Sequence, residues 1–299
     1  MTKIVVLGSG GFVGSALVSR FRDKGVPVEF IGTSSEGPRL DIVPHWLNSA
    51  ISGADVVYLT AGRTGGVGRM ARDPLSFVLP NVRIQMNIMQ ACLEAGVRRL
   101  VTLQSTTGYP DTALPVRENQ YHQGPLHPAY FGPGTTWRFV DHLAAMFRGL
   151  EVVFLRPSNV YGPGNDFDPT TSHVIEATVR KVYERQDPFV VWGDGREQRD
   201  CTYIDDLAEA MTRCIDCPPG AYNIGTGTTA SIQDMIRMLL IHADFRPKIV
   251  YDQTKPTAIP ARRLDCSKAR DVLGWEAKVD LPDGLARTYD WFAGQHVQA

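Results

Sequence analysis

Three glycines near the start of the chain stand at the spacing of a phosphate-binding loop. Gly8, Gly11 and Gly14 form the pattern GxxGxxG directly after the apolar run at residues 3–7. Glycine lets the backbone turn tightly and approach a pyrophosphate, and the start of the following helix offers unpaired N–H groups and a positive dipole end. The pattern predicts dinucleotide binding, with a structural glycine turn as the alternative. The expected contact residues are Gly8, Gly10, Gly11, Phe12, Val13 and Gly14.

The residues after the second apolar run bear on which dinucleotide is bound. An acid at the end of the second strand would bond the ribose 2′-OH of NAD, but residues 32–35 carry no carboxylate. The hydroxyls of Thr33 and Ser34 could bond a 2′-phosphate, and Arg39 could neutralise it. We therefore expect NADP, with NAD as the alternative. Asp41 could contact the adenine or serve as a turn or capping residue.

Composition and charge limit the partners. The 299 residues are 43% hydrophobic and 21% charged, as in an ordinary globular protein of one large domain or two lobes. A net charge of −1 gives no electrostatic reason to expect a nucleic-acid or membrane partner. The N-terminal residues do not resemble a signal peptide, and no apolar run has the length of a membrane span.

The cysteines indicate a reducing compartment. Their number, five, is odd and their spacing is scattered, which argues against a disulfide framework, so we expect a cytoplasmic protein. Cys214 and Cys217 form a CxxC, but a zinc or redox role needs a second ligand pair or a thioredoxin-like context. We interpret them as two thiols at a helix end and expect no metal.

Strands alternate with helices through the first half of the chain. Apolar runs predict strands at residues 3–7, 28–31, 55–59, 99–103 and 151–155, and helical patterns cover 15–24, 81–95 and 136–147. The alternation predicts an α/β fold, a Rossmann doubly wound parallel sheet over residues 1–160. Ala61 and Gly62, after the third strand, are expected to face the cofactor. Residues 161–299 are expected to form a smaller mixed substrate-binding lobe, with some elements returning to the sheet.

Longer motifs resemble a known family. GSGGFVG, RPSNVYGPG, DCTYIDDLAEA and YNIGTG resemble the extended short-chain dehydrogenases/reductases of the NAD-dependent epimerase/dehydratase family. Within it, GRTGGVGR, SHVIEATVRK and VVWGDGREQRD are most similar to the GDP-L-fucose synthases. The resemblance implies an NAD(P) cofactor, a nucleotide-sugar substrate, GDP-linked by preference, and a homodimer formed through the helices near 81–95 and 136–147.

The resemblance also implies a catalytic serine, tyrosine and lysine, of which only two are present. The serine matches Ser105 and the tyrosine matches Tyr130, but the lysine position is Gly134. Without a lysine to lower its pKa, a tyrosine stays protonated at neutral pH, which hinders oxidation more than ketone reduction. Arg138, one helical turn further on, could supply the missing positive charge, or it could be an ordinary surface residue.

Two further groups match the acid–base pair that moves protons at C3 and C5 of the sugar in the fucose synthases. His173 matches the histidine, and its type suits proton transfer near neutrality, although a polar helix-start residue is the alternative. Thr107 stands where that group has a cysteine, and a threonine hydroxyl is too weak an acid for the role. We therefore expect a single epimerisation or a simple ketone reduction.

The remaining family positions predict how the nucleotide sugar is bound. The resemblance implies that Trp192 stacks on the base and that Arg199 clamps the diphosphate. For Arg180 and Lys181, the alternative to phosphate binding is a solvated helix face. The expected substrate-binding residues are Asn159, Arg180, Lys181, Trp192 and Arg199. The leading prediction is an NAD(P)-dependent reductase or epimerase of a 4-keto nucleotide sugar. The alternatives are a non-redox isomerase with a structural cofactor and a catalytically decayed nucleotide-sugar sensor.

Overall fold

A six-stranded parallel sheet forms the centre of the protein. The computed structural model describes residues 2–32, 45–65, 73–255, 257 and 259–296. The sheet contains β1 (Ile4–Leu7), β2 (Glu29–Ile31), β3 (Val56–Leu59), β4 (Arg99–Leu103), β5 (Glu151–Pro157) and β10 (Gly220–Ile224). Their order across the sheet is β2-β1-β3-β4-β5-β10. The order reverses between β1 and β3, and ligands of doubly wound sheets bind at such a point. The expected Rossmann fold is confirmed.

Helices cover both faces of this sheet and build the second lobe. They are α1 (Phe12–Asp23), α2 (His45–Ala50), α3 (Leu75–Glu94), α4 (Phe131–Ala144), α5 (Val174–Tyr183), α6 (Ile204–Thr212), α7 (Ile232–His242), α8 (Ser267–Leu273) and α9 (Leu281–His296). Alternate residues of β1 enter different cores: Ile4 and Val6 pack with α1 and α6, while Val5 and Leu7 pack with α2, α3 and α4. Burial on both faces explains the continuous apolar runs of these strands.

Short strands organise the lobe that lies over the sheet. They are β6 (Asn159–Tyr161), β7 (Phe189–Trp192), β8 (Gln198–Arg199), β9 (Cys201–Tyr203), β11 (Ala230–Ser231), β12 (Ile249–Asp252) and β13 (Ala261–Arg262). They pair as β6-β9, β7-β12 and β11-β8-β13. The chain enters this lobe after β5, returns to the central sheet at β10 and leaves it again.

The two helices nearest the site begin earlier than the sequence predicts. α3 begins at Leu75 and runs through Pro80, whereas the prediction placed its start at residue 81. α4 begins at Phe131, whereas the prediction placed its start at residue 136. Pro133 lies in the first turn of α4, where backbone N–H groups have no helical acceptor, so proline costs little there. Among the described residues, no helix is long and apolar enough to cross a membrane.

Candidate active site

The glycine loop joins β1 to α1, and two of its glycines, Gly8 and Gly14, are packed too closely for a side chain. Gly8 has φ of +89°, and a Cβ there would lie 2.6 Å from the backbone nitrogen of Ala61. A Cβ on Gly14 would lie 2.7 Å from the Thr60 hydroxyl oxygen and would also strike the carbonyl of Gly8. Gly10, in contrast, has no atom within 4 Å of its Cβ position. The loop is therefore closed towards the protein and open on the side where a ligand would lie.

The start of α1 is free to bind an anion. Its N-cap residue is Gly11, and no side chain caps the first N–H groups of this 12-residue helix. Phe12 and Val13, the first helical residues, pack against the hydrophobic core and hold the helix end against the sheet. The uncapped N–H groups and the open face of the loop fit the pyrophosphate of a dinucleotide.

The loop after β3 forms the second wall of the cofactor cleft. Ala61 contacts the glycine loop, and Gly62 lies beside Asn81 of α3. Asn81 accepts a hydrogen bond from the N–H of Arg63 at 2.8 Å and donates one to its carbonyl at 2.9 Å. The sequence reasoning missed this clamp, because Asn81 had been expected only as the first residue of a helix. Thr33, Ser34, Arg39 and Asp41 lie outside the described residues.

Ser105 and Thr107 meet in a short 3-10 helix (Thr106–Gly108) directly after β4. The hydroxyl oxygen of Ser105 accepts hydrogen bonds from the Thr107 N–H at 3.2 Å and from the Thr107 hydroxyl at 3.0 Å. A hydroxyl oxygen has two acceptor sites, and Thr107 fills both. The Ser105 proton is therefore left to be donated to an acceptor in the cleft.

Tyr130 caps α4 and lies close to two arginines of the other lobe. Burial raises the pKa of the Tyr130 phenol, while the charges of Arg199 and Arg262 and a backbone hydrogen bond with Ile259 partly offset that rise. The hydroxyl therefore stays protonated at neutral pH. The two groups that the Ser105 oxygen contacts both belong to Thr107, and no hydrogen bond between Ser105 and Tyr130 is present in the part of the chain that the structure describes.

The arginine pair at this position includes a residue that the sequence reasoning missed. Arg199 donates to the carbonyl of Ile259 at 2.7 Å, and Arg262 donates to the carbonyl of Pro110 at 3.1 Å. Both side chains are buried, and Nη2 of Arg262 has no hydrogen-bond partner among the described residues. A buried guanidinium with an unused donor fits an anion. The one sequence feature that could have indicated Arg262 in advance is its place in RRLD, residues 262–265.

Close packing surrounds Gly134, the position at which the family resemblance implies a lysine. A Cβ on Gly134 would lie 2.6 Å from the carbonyl oxygen of Thr107 and 2.9 Å from a methyl carbon of Leu126. The first turn of α4 therefore packs directly on the Ser105 turn, and a side chain at position 134 would force the two apart.

Arg138 is not a free charge that replaces the lysine. Its guanidinium donates to the main-chain carbonyls of Gly108 at 2.8 Å, Gly124 at 3.0 Å and Gln123 at 2.9 Å. All three nitrogens are thus engaged with the backbone. The hypothesis of a substitute charge is replaced by that of a structural clamp.

His173 is exposed at the N-terminus of α5. The protein around it desolvates the ring and lowers the pKa of His173, while the carboxylate of Asp166 partly offsets this effect. The imidazole is therefore neutral at pH 7, with a face open to solvent. A neutral imidazole can accept a hydrogen bond from a sugar hydroxyl at one ring nitrogen or donate one to it from the other.

The other predicted substrate residues divide into two groups. Asn159 is exposed at the start of β6, with its amide donating to the Asp200 carbonyl at 3.0 Å, and Trp192 is 47% exposed at the end of β7. Arg180 instead pairs with Glu184 at 2.7 Å, and Lys181 donates to the carbonyl of Val190 at 2.8 Å. The first two side chains are available to a ligand, whereas the two cations of α5 are engaged within the protein.

Two residue groups that could suggest other chemistry have structural surroundings. Asp206, in the first turn of α6, accepts hydrogen bonds from the N–H groups of Lys278 and Val279, so this carboxylate ties α6 to the segment before α9. Cys214 and Cys217 lie just beyond the end of the same helix, are buried and are free thiols. No group of three or more potential metal ligands occurs within the described ranges.

Known proteins share both the motifs and the fold. The model of the NAD dependent epimerase/dehydratase family matches residues 4–225. A probable GDP-L-fucose synthase 1 of Oryza sativa subsp. japonica is 32% identical over 99% of this chain and 94% of its own length. A GDP-6-OMe-4-keto-L-xylo-heptose reductase from C. jejuni has a TM-score of 0.89 at 23% identity, covering 99% of this chain and 98% of its own. A GDP-L-fucose synthetase from Naegleria fowleri bound to NADP has a TM-score of 0.85 at 21% identity, covering 100% and 94%.

These matches confirm the family and the NAD(P)-dependent enzyme class that the motifs predict. The glycine loop, the uncapped start of α1 and the reversal of strand order independently fit the same cofactor. The chain belongs to the NAD dependent epimerase/dehydratase family.

Proposed function

We propose that the protein is an NADP(H)-dependent reductase of a GDP-linked 4-keto sugar and that it does not carry out a double epimerisation. The observation that carries this proposal is the Ser105–Thr107 pair, in which Thr107 donates two hydrogen bonds to the Ser105 oxygen and leaves the Ser105 proton to be donated. The names of the full-length relatives, which are GDP-L-fucose synthases and a GDP-L-colitose synthase, support a GDP-sugar.

The glycine loop and the end of β3 are proposed to hold the cofactor. The uncapped N–H groups at the start of α1 would bind its pyrophosphate, and Gly10 would face it. When bound, the dinucleotide supplies the hydride. Thr33, Ser34 and Arg39 would contact the 2′-phosphate that distinguishes NADP from NAD, and Asp41 the adenine.

Ser105 and Tyr130 are proposed to handle the ketone oxygen. Ser105 would donate a hydrogen bond to the carbonyl, and Tyr130 would give its proton to the oxygen as the alcohol forms. Burial keeps the tyrosine protonated, which suits a general acid and disfavours the reverse oxidation. The absence of the lysine is thus compatible with reduction.

Arg199 and Arg262 are proposed to hold the diphosphate of the sugar nucleotide. Two buried guanidinium groups, one of them with an unused donor, suit two adjacent phosphates, because arginine can form bidentate hydrogen bonds with phosphate oxygens. Trp192 would stack on the base, Asn159 would contact the sugar diphosphate, and His173 would contact the sugar. Arg180 and Lys181 remain proposals of the family resemblance, and their present contacts would have to be exchanged for phosphate contacts.

Thr107 limits the reaction at C3 and C5. Epimerisation at both centres needs two acid–base groups, and a threonine hydroxyl that donates to Ser105 is not one of them. His173 remains as a single group. The proposal therefore gives Thr107 a supporting part in reduction.

We also propose a homodimer formed through α3 and α4. Leu75, Leu79, Met86 and Leu93 of α3 are exposed, and their spacing of four, seven and seven residues places them along one side of the helix. Phe131, Phe139 and Met146 are exposed on and just after α4. Light scattering is expected to give a dimer, and Met86→Glu is expected to shift it towards monomer. A wild-type monomer would refute this part.

A cytoplasmic location is proposed from the cysteines. All five are free thiols and four of them are buried, which suits a reducing compartment. Cell fractionation with an epitope-tagged chain tests this, and recovery from an oxidising compartment would refute it.

The direct test follows NADPH absorbance in the presence of GDP-4-keto-6-deoxy-mannose. We expect NADPH consumption that depends on the sugar and falls by at least ~10²-fold in Tyr130→Phe. Sugar binding without consumption would overturn the reductase proposal for this substrate. Solvent deuterium uptake would then point to the isomerase, and no uptake to the sensor.

A further inference from the structure

The turn that carries Ser105 is held at both ends by side chains that take no part in the proposed chemistry. Tyr121 donates its hydroxyl to the main-chain oxygen of Ser105 at 2.7 Å. Arg138 donates its Nε to the main-chain oxygen of Gly108 at 2.8 Å. The two bonds fix the first and last residues of segment 105–108.

Tyr121 is itself held firmly. Its side chain is buried, its ring packs edge-on against Tyr109 at 4.9 Å, and the guanidinium of Arg156 lies 3.5 Å from its ring centroid. A Cβ on Gly108 would lie 2.7 Å from a ring carbon of Tyr121. The turn and the phenol therefore fit each other without free space, so the position of the hydroxyl dictates the position of the Ser105 carbonyl.

Arg138 joins the turn to two other segments. Its remaining nitrogens donate to Gln123 and Gly124, which follow Tyr121, while its own backbone belongs to α4, the helix that Tyr130 caps. Three donors in one rigid plane are needed to reach these carbonyls, and only arginine offers them. The close approach of Gly134 to Thr107 brings α4 within reach of the turn.

We propose that Arg138 and Tyr121 are positioning residues, which hold the Ser105 turn in fixed geometry against the helix of Tyr130. The reaction that they serve is the reduction proposed above. A displacement of about 1 Å in a reacting group can cost about a hundredfold in rate, so this clamp has a large effect on turnover although neither side chain contacts the substrate.

The test compares two conservative variants with two matched controls. Arg138→Lys keeps the charge and removes the fork, and Tyr121→Phe keeps the ring and removes one hydroxyl. Arg213, which donates to the carbonyls of Leu273 and Gly274, gives the control Arg213→Lys. Tyr58, a buried tyrosine that donates to the carbonyl of Met211 at 3.0 Å, gives the control Tyr58→Phe.

For each variant we would measure kcat, KM for the sugar, Kd for NADPH, and hydrogen exchange of the 105–108 amides. We expect kcat to fall ~10-fold or more in Arg138→Lys and Tyr121→Phe, with NADPH affinity unchanged and faster exchange in the turn. The controls are expected to keep the wild-type kcat. Full activity of Arg138→Lys, or a loss of NADPH affinity in that variant, would overturn the proposal, because either outcome fits a charge beside the cofactor.

The exchange measurement separates this inference from the proposed function. Faster exchange of the turn in the two variants but not in the controls supports the clamp even if the wild-type protein does not reduce the sugar. Unchanged exchange, together with unchanged kcat in an active enzyme, overturns the clamp and leaves the reductase proposal standing.

Discussion

The glycine loop after β1 and the Ser105 turn after β4 lie at the same edge of the parallel sheet. Close packing at a glycine has opposite consequences for the space available to a ligand in the two regions. Gly8 and Gly14 bring main chain together so that the other side of the loop stays open, as shown by the empty space at Gly10. Gly134 packs against the Thr107 carbonyl and the Leu126 side chain, at the position where the family resemblance implies a lysine, so that no side chain fits there.

The difference shows that close approach of a glycine backbone can leave an open face in one loop and leave no room for a side chain in another. In the first region the uncapped backbone N–H groups at the start of α1 are the groups available to a ligand. In the second, side chains supply the contacts: Tyr121 and Arg138 donate hydrogen bonds to main-chain oxygens at the two ends of the Ser105 turn.

The largest effect is expected in the glycine loop. Gly14→Val should abolish NADPH binding and lower the melting temperature, because its Cβ would strike the Gly8 carbonyl and approach the Thr60 hydroxyl to 2.7 Å. Fluorescence titration with NADPH and thermal unfolding measure both effects. Gly10→Ala is the matched control and should keep the wild-type melting temperature. Normal NADPH affinity in Gly14→Val would contradict the closed packing of the loop.

Restoring the family's lysine should damage the enzyme. Gly134→Lys is expected to lower kcat by about a hundredfold, because a Cβ would lie 2.6 Å from the Thr107 carbonyl and push the Ser105 turn away from α4. Gly132→Ala, in the same helix, places its Cβ at an ordinary 3.5 Å from Pro74 and should be tolerated. Steady-state kinetics of the two variants measure this effect. A gain of activity in Gly134→Lys would show that position 134 has room for a lysine side chain.

The substrate side should respond separately from the cofactor side. Arg262→Met is expected to raise KM for the GDP-sugar ~10- to 100-fold, as for the loss of a charged hydrogen bond, with Kd for NADPH unchanged. Arg263→Met, at the exposed neighbouring position, should leave KM unchanged. Equal losses of NADPH and sugar affinity in Arg262→Met would contradict the proposal that Arg262 binds only the GDP-sugar.

The smallest effect concerns pH. Burial raises the pKa of Tyr130 above the ordinary value of about 10, and the protonated form is the active acid, so activity is present below that pKa and lost as pH rises through it. Reductive kcat should therefore stay constant up to about pH 9. A pH profile of kcat in buffers of constant ionic strength measures this. An alkaline decline near pH 8 that Tyr130→Phe lacks would mean that another cation lowers the tyrosine pKa.

Most of the sheet could be predicted from the sequence, because its inner strands β1, β3 and β4 are buried on both faces and therefore consist of short apolar runs. The glycine loop could be predicted because its chemistry resides in local spacing. The starts of α3 and α4 could not, because proline generally breaks a helix. Pro80 nevertheless lies inside α3, and Pro133 lies in the first turn of α4, where proline costs little.

The parts of the site that depend on long-range contacts were beyond sequence reasoning. Arg138 was expected as a charge or a surface residue, and its three carbonyl partners come from segments that only the fold brings together. Arg262 lies far along the chain from Tyr130 and Arg199, and no local pattern places its guanidinium beside them.

The fate of isotopic label tests the central claim most directly. The protein would be incubated with GDP-4-keto-6-deoxy-mannose and NADPH carrying deuterium at the transferred position, and the product analysed by NMR. We expect one deuterium at C4 of the product. In a parallel reaction in D2O, we expect solvent deuterium at no more than one of the two carbons C3 and C5. Product without deuterium at C4, or with solvent deuterium at both C3 and C5, would contradict a reductase that works without the lysine and without the epimerising thiol.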